Sequence, residues 1–246
     1  MANTLTGATA LVTGATSGIG RAVAVQLAGL GARVVVHGRS AERGAETVRS
    51  IEKSGGTAVF ATADLERADD VRRLADDAGP VDILVNNAGV CRFATTVDVD
   101  DDFFDEHVRV NLRAPHILVQ KLVPPMAGRG GGAVVNLSTL AASVPARLAG
   151  VYGATKAGLE LLTRVWADEF GGSGVRVNAV AAGPTETPGT AATPGLTDGL
   201  AGVIALGRAA TADEIASAVV FLASPAASYV NGAILHVTGG QRAIAP

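Results

Sequence analysis

Only one cysteine, Cys91, occurs in the 246 residues, which excludes an internal disulfide and a metal cluster built on cysteine. The four histidines, His37, His107, His116 and His236, show no close ligand spacing, so no metal is expected. Basic residues do not dominate: 20 against 23 acidic ones leave a net charge of -3, scattered along the chain. Nucleic acid or an anionic membrane would call for a basic patch, and neither is expected as a partner. The one dense acidic stretch, Asp98 to Asp102, reads as a solvated helix start. No apolar run approaches the roughly 18 residues of a membrane span. Met1 to Leu11 has neither the basic start nor the apolar stretch of a secretory signal, so the cytoplasm is the expected location. Lysine is scarce as well, with only Lys53, Lys121 and Lys156.

What the chain does have is apolar material, 48% of it against 17% charged residues, enough for a substantial core. Short β-branched runs at Thr9–Thr13, Arg33–His37, Thr57–Ala61, Asp82–Asn86, Ala133–Leu137, Val175–Val180 and Ala233–Val237 predict strands. Amphipathic segments between them predict helices at 18–30, 41–54, 67–78, 102–126, 151–170 and 211–223. Strict alternation of this kind predicts an α/β fold, a parallel sheet with helices on both faces. No linker, charge block or repeat divides the chain, so 1–246 reads as a single domain. The Gly-, Pro- and Thr-rich stretch from Gly183 to Leu206 breaks the pattern after a strand end, and residues 188–206 read as a substrate lid.

The first strand runs into Thr13-Gly14-Ala15-Thr16-Ser17-Gly18-Ile19-Gly20 and then into a helix. Glycines there let the backbone approach a pyrophosphate, whose charge suits the helix N-terminus. At the end of the second strand a site for NAD usually carries an acid for the ribose hydroxyls. This chain has Gly38 there and Arg39 next, a fixed cation for a 2′-phosphate, so NADP is expected rather than NAD. The competing reading makes Arg39 the cap of a surface turn. Asp64, followed by Leu65, is placed to reach an adenine, with a solvated loop aspartate as the alternative. After the fourth strand, Asn86-Asn87-Ala88-Gly89 combines amides that tie strands with small residues that leave room for a ribose. Asn111 interrupts an apolar helix, where an amide is costly without a partner. Tyr152 and Lys156, four apart, share a helix face, and an ammonium beside a phenol favours its ionised form, as acid/base catalysis on a carbonyl requires.

Taken together, Thr13–Gly20, Asn86–Gly89, Asn111, Tyr152-Gly-Ala-Thr-Lys156 and Gly183-Pro-Thr-Glu-Thr187 resemble the short-chain dehydrogenase/reductase family, in its single-domain branch of about this length. The C-terminal Gly207-Arg208, Phe221–Ser224 and Tyr229–Gly232 agree. The resemblance implies a Rossmann-like, doubly wound sheet of about seven strands and an enzyme that moves a hydride between NADP(H) and a small carbonyl or alcohol. It casts Tyr152 as acid/base, Lys156 as ribose ligand and pKa-lowering partner, and Asn111 as the holder of a relay water. The backbone around Thr185, with Thr187 nearby, would meet the nicotinamide carboxamide. Where the family has a catalytic serine, 13 residues before the tyrosine, this chain has Thr139, with Ser138 as the fallback. Ala182 replaces the usual proline and Thr238-Gly239-Gly240 the usual Asp-Gly-Gly. Apolar residues on more than one stripe of the Tyr152 helix, Leu159 to Phe170, predict a homo-oligomer, a tetramer by the family's habit. A catalytically silent cofactor sensor on the same fold would be expected to lose Tyr152 or Lys156, and a sugar-nucleotide epimerase would need a longer chain.

Overall fold

Continuous runs of valine, leucine and alanine can be strands only where both faces of a sheet are covered, and that is how the chain uses them. The computed structural model describes residues 4–191, 199, 202 and 204–240. Its strands are β1 (Thr9–Val12), β2 (Arg33–Gly38), β3 (Thr57–Thr62), β4 (Ile83–Asn86), β5 (Gly132–Thr139), β6 (Val175–Ala182), β7 (Thr185–Glu186), β8 (Ala210–Thr211) and β9 (Ile234–Val237). The helices are α1 (Gly18–Gly29), α2 (Ala41–Lys53), α3 (Ala68–Ala78), α4 (Asp101–Val108), α5 (Ala114–Gly128), α6 (Gly150–Gly171), α7 (Pro188–Ala191) and α8 (Ala212–Ala223). Seven strands form one parallel sheet in the order β3-β2-β1-β4-β5-β6-β9, a Rossmann-like arrangement. The pair β7–β8 stands apart as a small parallel ladder.

Alternate residues of each strand feed two separate cores. Val12, Val34, Val36, Val85, Val135 and Val180 pack with Val23 and Leu27 of α1 and with Ile215 and Leu222 of α8. Leu11, Val35, Leu84, Val134 and Val177 pack with Leu74 of α3, Leu118 of α5, and Leu159 and Trp166 of α6. Because all seven strands run the same way, their carboxyl ends share one edge. The strand order reverses between β1 and β4, which opens a crevice there.

One expectation needs revision, and another lies partly outside the described residues. The helix predicted over 102–126 is α4 and α5 joined by a π-helical turn at Arg109–Arg113, centred on Asn111. Hydrophobic periodicity cannot register such a turn, since it shifts the pattern by a single residue. About half of the lid expected at 188–206 lies outside the described residues, which there comprise 188–191, 199, 202 and 204–206, with α7 at its start.

Candidate active site

The glycine-rich turn between β1 and α1 is held by side chains from β4's end. Thr13 Oγ1 donates to the Val85 carbonyl at 3.2 Å and accepts from the backbone N–H groups of Asn87 and Ala88, each at 3.0 Å. Asn87 Nδ2 donates to the carbonyls of Thr13 at 2.8 Å and Gly14 at 3.2 Å. A Cβ at Gly20 would stand 2.3 Å from Asn87 Nδ2, so the close approach requires glycine. The N-terminus of α1 is chemically open. Its first turn contains no acid, and the Ser17 side chain makes no capping bond. By contrast α2, α4 and α8 each begin with a side-chain cap and acidic residues. Unsatisfied N–H donors at a helix start, without a competing carboxylate, fit a bound phosphate.

At the end of β2, a Cβ on Gly38 would lie 2.4 Å from Thr16 Cγ2, so an aspartate or glutamate has no place there unless Thr16 moves. Arg39 is exposed and forms no ion pair with a carboxylate among the described residues. Asp64 uses one carboxylate oxygen to accept from the Glu66 N–H at 3.1 Å, and Leu65 is buried beside it. The Gly183–Thr190 segment closes over the turn. A Cβ at Gly18 would lie 3.3 Å from Thr187, and Thr190 Oγ1 donates to the Thr185 carbonyl at 2.8 Å.

Residues from four elements meet at the carboxyl end of β5. Lys156 is buried, and its ammonium donates to the Leu137 carbonyl at 2.7 Å. Asn111, fully buried, accepts from the Val90 N–H at 2.8 Å and donates to the Val90 carbonyl at 2.9 Å and to Thr155 Oγ1 at 3.1 Å. The partner that the sequence demanded for this amide is therefore the backbone after β4. Gly89 fills the space between: a Cβ on it would be 3.2 Å from Asn111 Oδ1 and 3.3 Å from Lys156 Nζ. The adjacent hydroxyls of β5 diverge. Ser138 Oγ, 5% exposed, donates to Glu160 Oε1 of α6 at 2.6 Å. The Thr139 hydroxyl lies toward the Tyr152 phenol, whose pKa it lowers, and accepts from the Ala141 N–H at 3.3 Å. Phe93 stands edge-on to Tyr152 with ring centroids 6.5 Å apart.

Burial dominates the electrostatics. It pushes the Lys156 ammonium down to about 8, with Cys91 acting weakly the other way. It pushes the Tyr152 phenol well above its usual value; Cys91 adds to the rise and the Thr139 hydroxyl opposes it. The lowering of Tyr152 by Lys156 expected from their spacing does not appear, since the ammonium is held on the Leu137 carbonyl. Cys91 is exposed as a residue, yet desolvation of its thiol raises it, offset by the Tyr152 phenol and the Lys156 charge.

Among the described residues, the anticipated groups run along the strand-end edge, from Gly14 and Arg39 on one side to Tyr152 and Lys156 on the other. Sequence reasoning passed over Glu160, Thr155 and Thr190, whose partners are set by the fold. It also treated His37 only as a non-ligand, although a histidine inside a valine-rich strand was a visible signal.

The chain matches the family model described as enoyl-(acyl carrier protein) reductase over residues 14–242. A solved structure described as a short chain dehydrogenase/reductase family protein is 48% identical, with a TM-score of 0.91 over 96% of this chain and 98% of that one. The 3-oxoacyl (acyl-carrier-protein) reductase of Agrobacterium tumefaciens C58, solved with NADP bound, is 35% identical with a TM-score of 0.92, covering 97% and 95%. The cis-4-hydroxycyclohexanecarboxylate dehydrogenase of Sinomonas cyclohexanicum is 38% identical over 96% of each chain.

Proposed function

The chain belongs to the short-chain dehydrogenase/reductase family, and on that premise we propose that it is an NADP(H)-dependent oxidoreductase interconverting a small carbonyl and its alcohol by Tyr152–Lys156 acid/base catalysis. The observation that carries this reading is the grouping of Tyr152, Lys156 and the Thr139 hydroxyl at the carboxyl end of β5. The cofactor half rests on the open start of α1, the absence of room for an acid at Gly38, and the guanidinium of Arg39, which has no ion pair among the described residues. The NADP bound to the Agrobacterium relative agrees with it.

Nicotinamide, when bound, supplies or removes the hydride. In the reducing direction, Tyr152 holds its proton because burial disfavours the phenolate, and it donates that proton to the carbonyl oxygen. Thr139 offers a second hydrogen bond to the same oxygen as negative charge develops there. Lys156, a buried ammonium held on the Leu137 carbonyl, would hold the nicotinamide ribose and supplies the positive charge of the pocket. Asn111 fixes the loop after β4 against α6 and so keeps Gly89 beside Lys156. NADPH oxidation assayed against a panel of small ketones, oxoacyl thioesters and ketoses tests the proposal. Turnover is expected with at least one, falling by about 10²–10⁴-fold in Tyr152→Phe. A protein that binds NADPH yet turns over none of them, or a Tyr152→Phe variant as active as wild type, would refute it.

A further inference from the structure

His37 lies near the end of β2 and is only 2% exposed. Both ring nitrogens are engaged: the Gly14 N–H donates to Nδ1 at 3.2 Å, and Nε2 lies 3.2 Å from the Ala63 carbonyl oxygen. A nitrogen that accepts from a backbone N–H carries the lone pair, and one that faces a carbonyl carries the proton. The surroundings therefore select the neutral ring with its proton on Nε2. The His37 carbonyl in turn accepts from the Ala15 N–H at 2.8 Å. One residue joins the glycine-rich turn, the end of β2 and the loop after β3. The turn has little slack elsewhere, because Gly14 has a φ of +65° and a Cβ on it would stand 3.0 Å from Ala88 Cα.

We propose that His37 is a positioning residue for the dinucleotide, holding Gly14 through its imidazole so that the turn keeps its binding shape before the cofactor arrives. The proposal rests on the cofactor reading above and differs from the role given to Arg39. Arg39 acts on a 2′-phosphate and so distinguishes NADP from NAD. His37 acts on the turn that both cofactors share and favours both equally.

Few charged groups bear on the ring. Arg39, two residues on, opposes a second positive charge there. Asp64, next to Ala63, directs a carboxylate oxygen to the Glu66 N–H, while its own N–H donates to Asp70. The turn from Thr13 to Gly20 contains no ionisable side chain. Burial above all, and Arg39 after it, hold the ring below its usual value, against the pull of the Ala63 carbonyl. At neutral pH the acceptor is intact. Acid converts Nδ1 into a donor facing another donor.

Calorimetric titration of the purified full chain with NADP⁺ and NAD⁺ tests the proposal. His37→Leu removes the acceptor, and His37→Asn puts an amide oxygen where Nδ1 stands. We expect His37→Leu to weaken both cofactors by the same factor, about tenfold, and His37→Asn to restore most of the loss. Arg39→Ala should weaken NADP⁺ alone. Should His37→Leu fail to fold, the wild type and His37→Asn decide the matter: NAD⁺ affinity should fall on acidification in the first and stay flat in the second. Wild-type affinities in His37→Leu, equal weakness in His37→Asn, a loss confined to NADP⁺, or the same acid dependence in wild type and His37→Asn would each overturn the role of His37. Failure of the wild type to bind either cofactor would instead overturn the cofactor reading itself.

Discussion

Ser138 and Thr139 are neighbours on β5, and their substitution should separate stability from activity. Ser138 Oγ donates to Glu160 Oε1 at 2.6 Å in a setting where the two residues are 5% and 8% exposed. Ser138→Ala leaves a buried carboxyl group without this donor, a cost of about 1–3 kcal/mol. In a chain of this size each kcal/mol lowers Tm by roughly 2–4 °C, so thermal unfolding should shift down by about 5 °C. Turnover should change little, since this hydroxyl points away from Tyr152. Thr139→Val keeps the shape of the side chain and removes the hydroxyl that meets Tyr152. Losing one donor to a developing alkoxide costs ~10²–10³ in kcat. The same change also removes the acceptor for the Ala141 N–H, a cap worth about 1 kcal/mol, so its thermal shift should be the smaller of the two. Thr139→Ser should restore activity to within a few-fold, about the cost of a looser rotamer. The assay is kcat with NADPH and the best carbonyl of the panel, beside a thermal melt. If Ser138→Ala is the inactive variant and Thr139→Val turns over normally, the assignment of the two hydroxyls is reversed and the reasoning fails.

Lys156 should set an upper pH limit on carbonyl reduction. Its folded pKa is lowered to about 8, so its charge is present below that value and lost as pH rises through it. Reduction kcat/KM should decline above about pH 8 as this charge is lost; a reduction profile level up to the ordinary lysine range, about 10.4, would contradict the assignment. Arg39→Ala should lower the kcat/KM preference for NADPH over NADH by about tenfold to hundredfold, through loss of charge-assisted bonds to the phosphate, and an unchanged ratio would leave Arg39 as a surface cap. On the outer side of α6, Leu161 and Val165 are 58% and 41% exposed, a face that we expect to be covered by a second copy in a homo-oligomer, as a dimer or tetramer. Light scattering should give a multiple of 24.6 kDa that Leu161→Glu with Val165→Glu reduces to the monomer, whereas a wild-type monomer at micromolar concentration would remove this expectation.

The sheet and its helices were legible in the sequence because a doubly covered parallel strand has no polar side to disguise it. Val34, Val35 and Val36 in succession fit little else, and apart from the π-turn within 102–126 and the short β7, β8 and α7, observed bounds differ from the predicted ones by only a residue or two. The crevice residues were legible from order and spacing, from Gly14 to Lys156. Counting 13 back from Tyr152 reached Thr139, and its neighbour's attachment to Glu160, 22 residues further on, could not be read in the same way. The raised Tyr152 follows from burial, and burial is set by packing of segments distant in sequence. For the same reason the link from His37 to Gly14 across 23 residues was hidden, although the apolar run around His37 already required that its ring be buried.

The π-helical turn at Arg109–Arg113 has a consequence for how this chain can vary. Such a turn amounts to one residue more than an α-helix would hold, accommodated as a local bulge. Deleting a residue there would let α4 and α5 merge into a regular helix, a gain in local regularity. Because the bulge had absorbed the extra residue, the two flanking helices would keep their phase, and the loss would fall on the bulge itself. The backbone position from which Asn111 bonds Val90 and Thr155 would go with it. The residue that helix geometry alone would discard is thus retained by what it holds, the loop after β4 against α6.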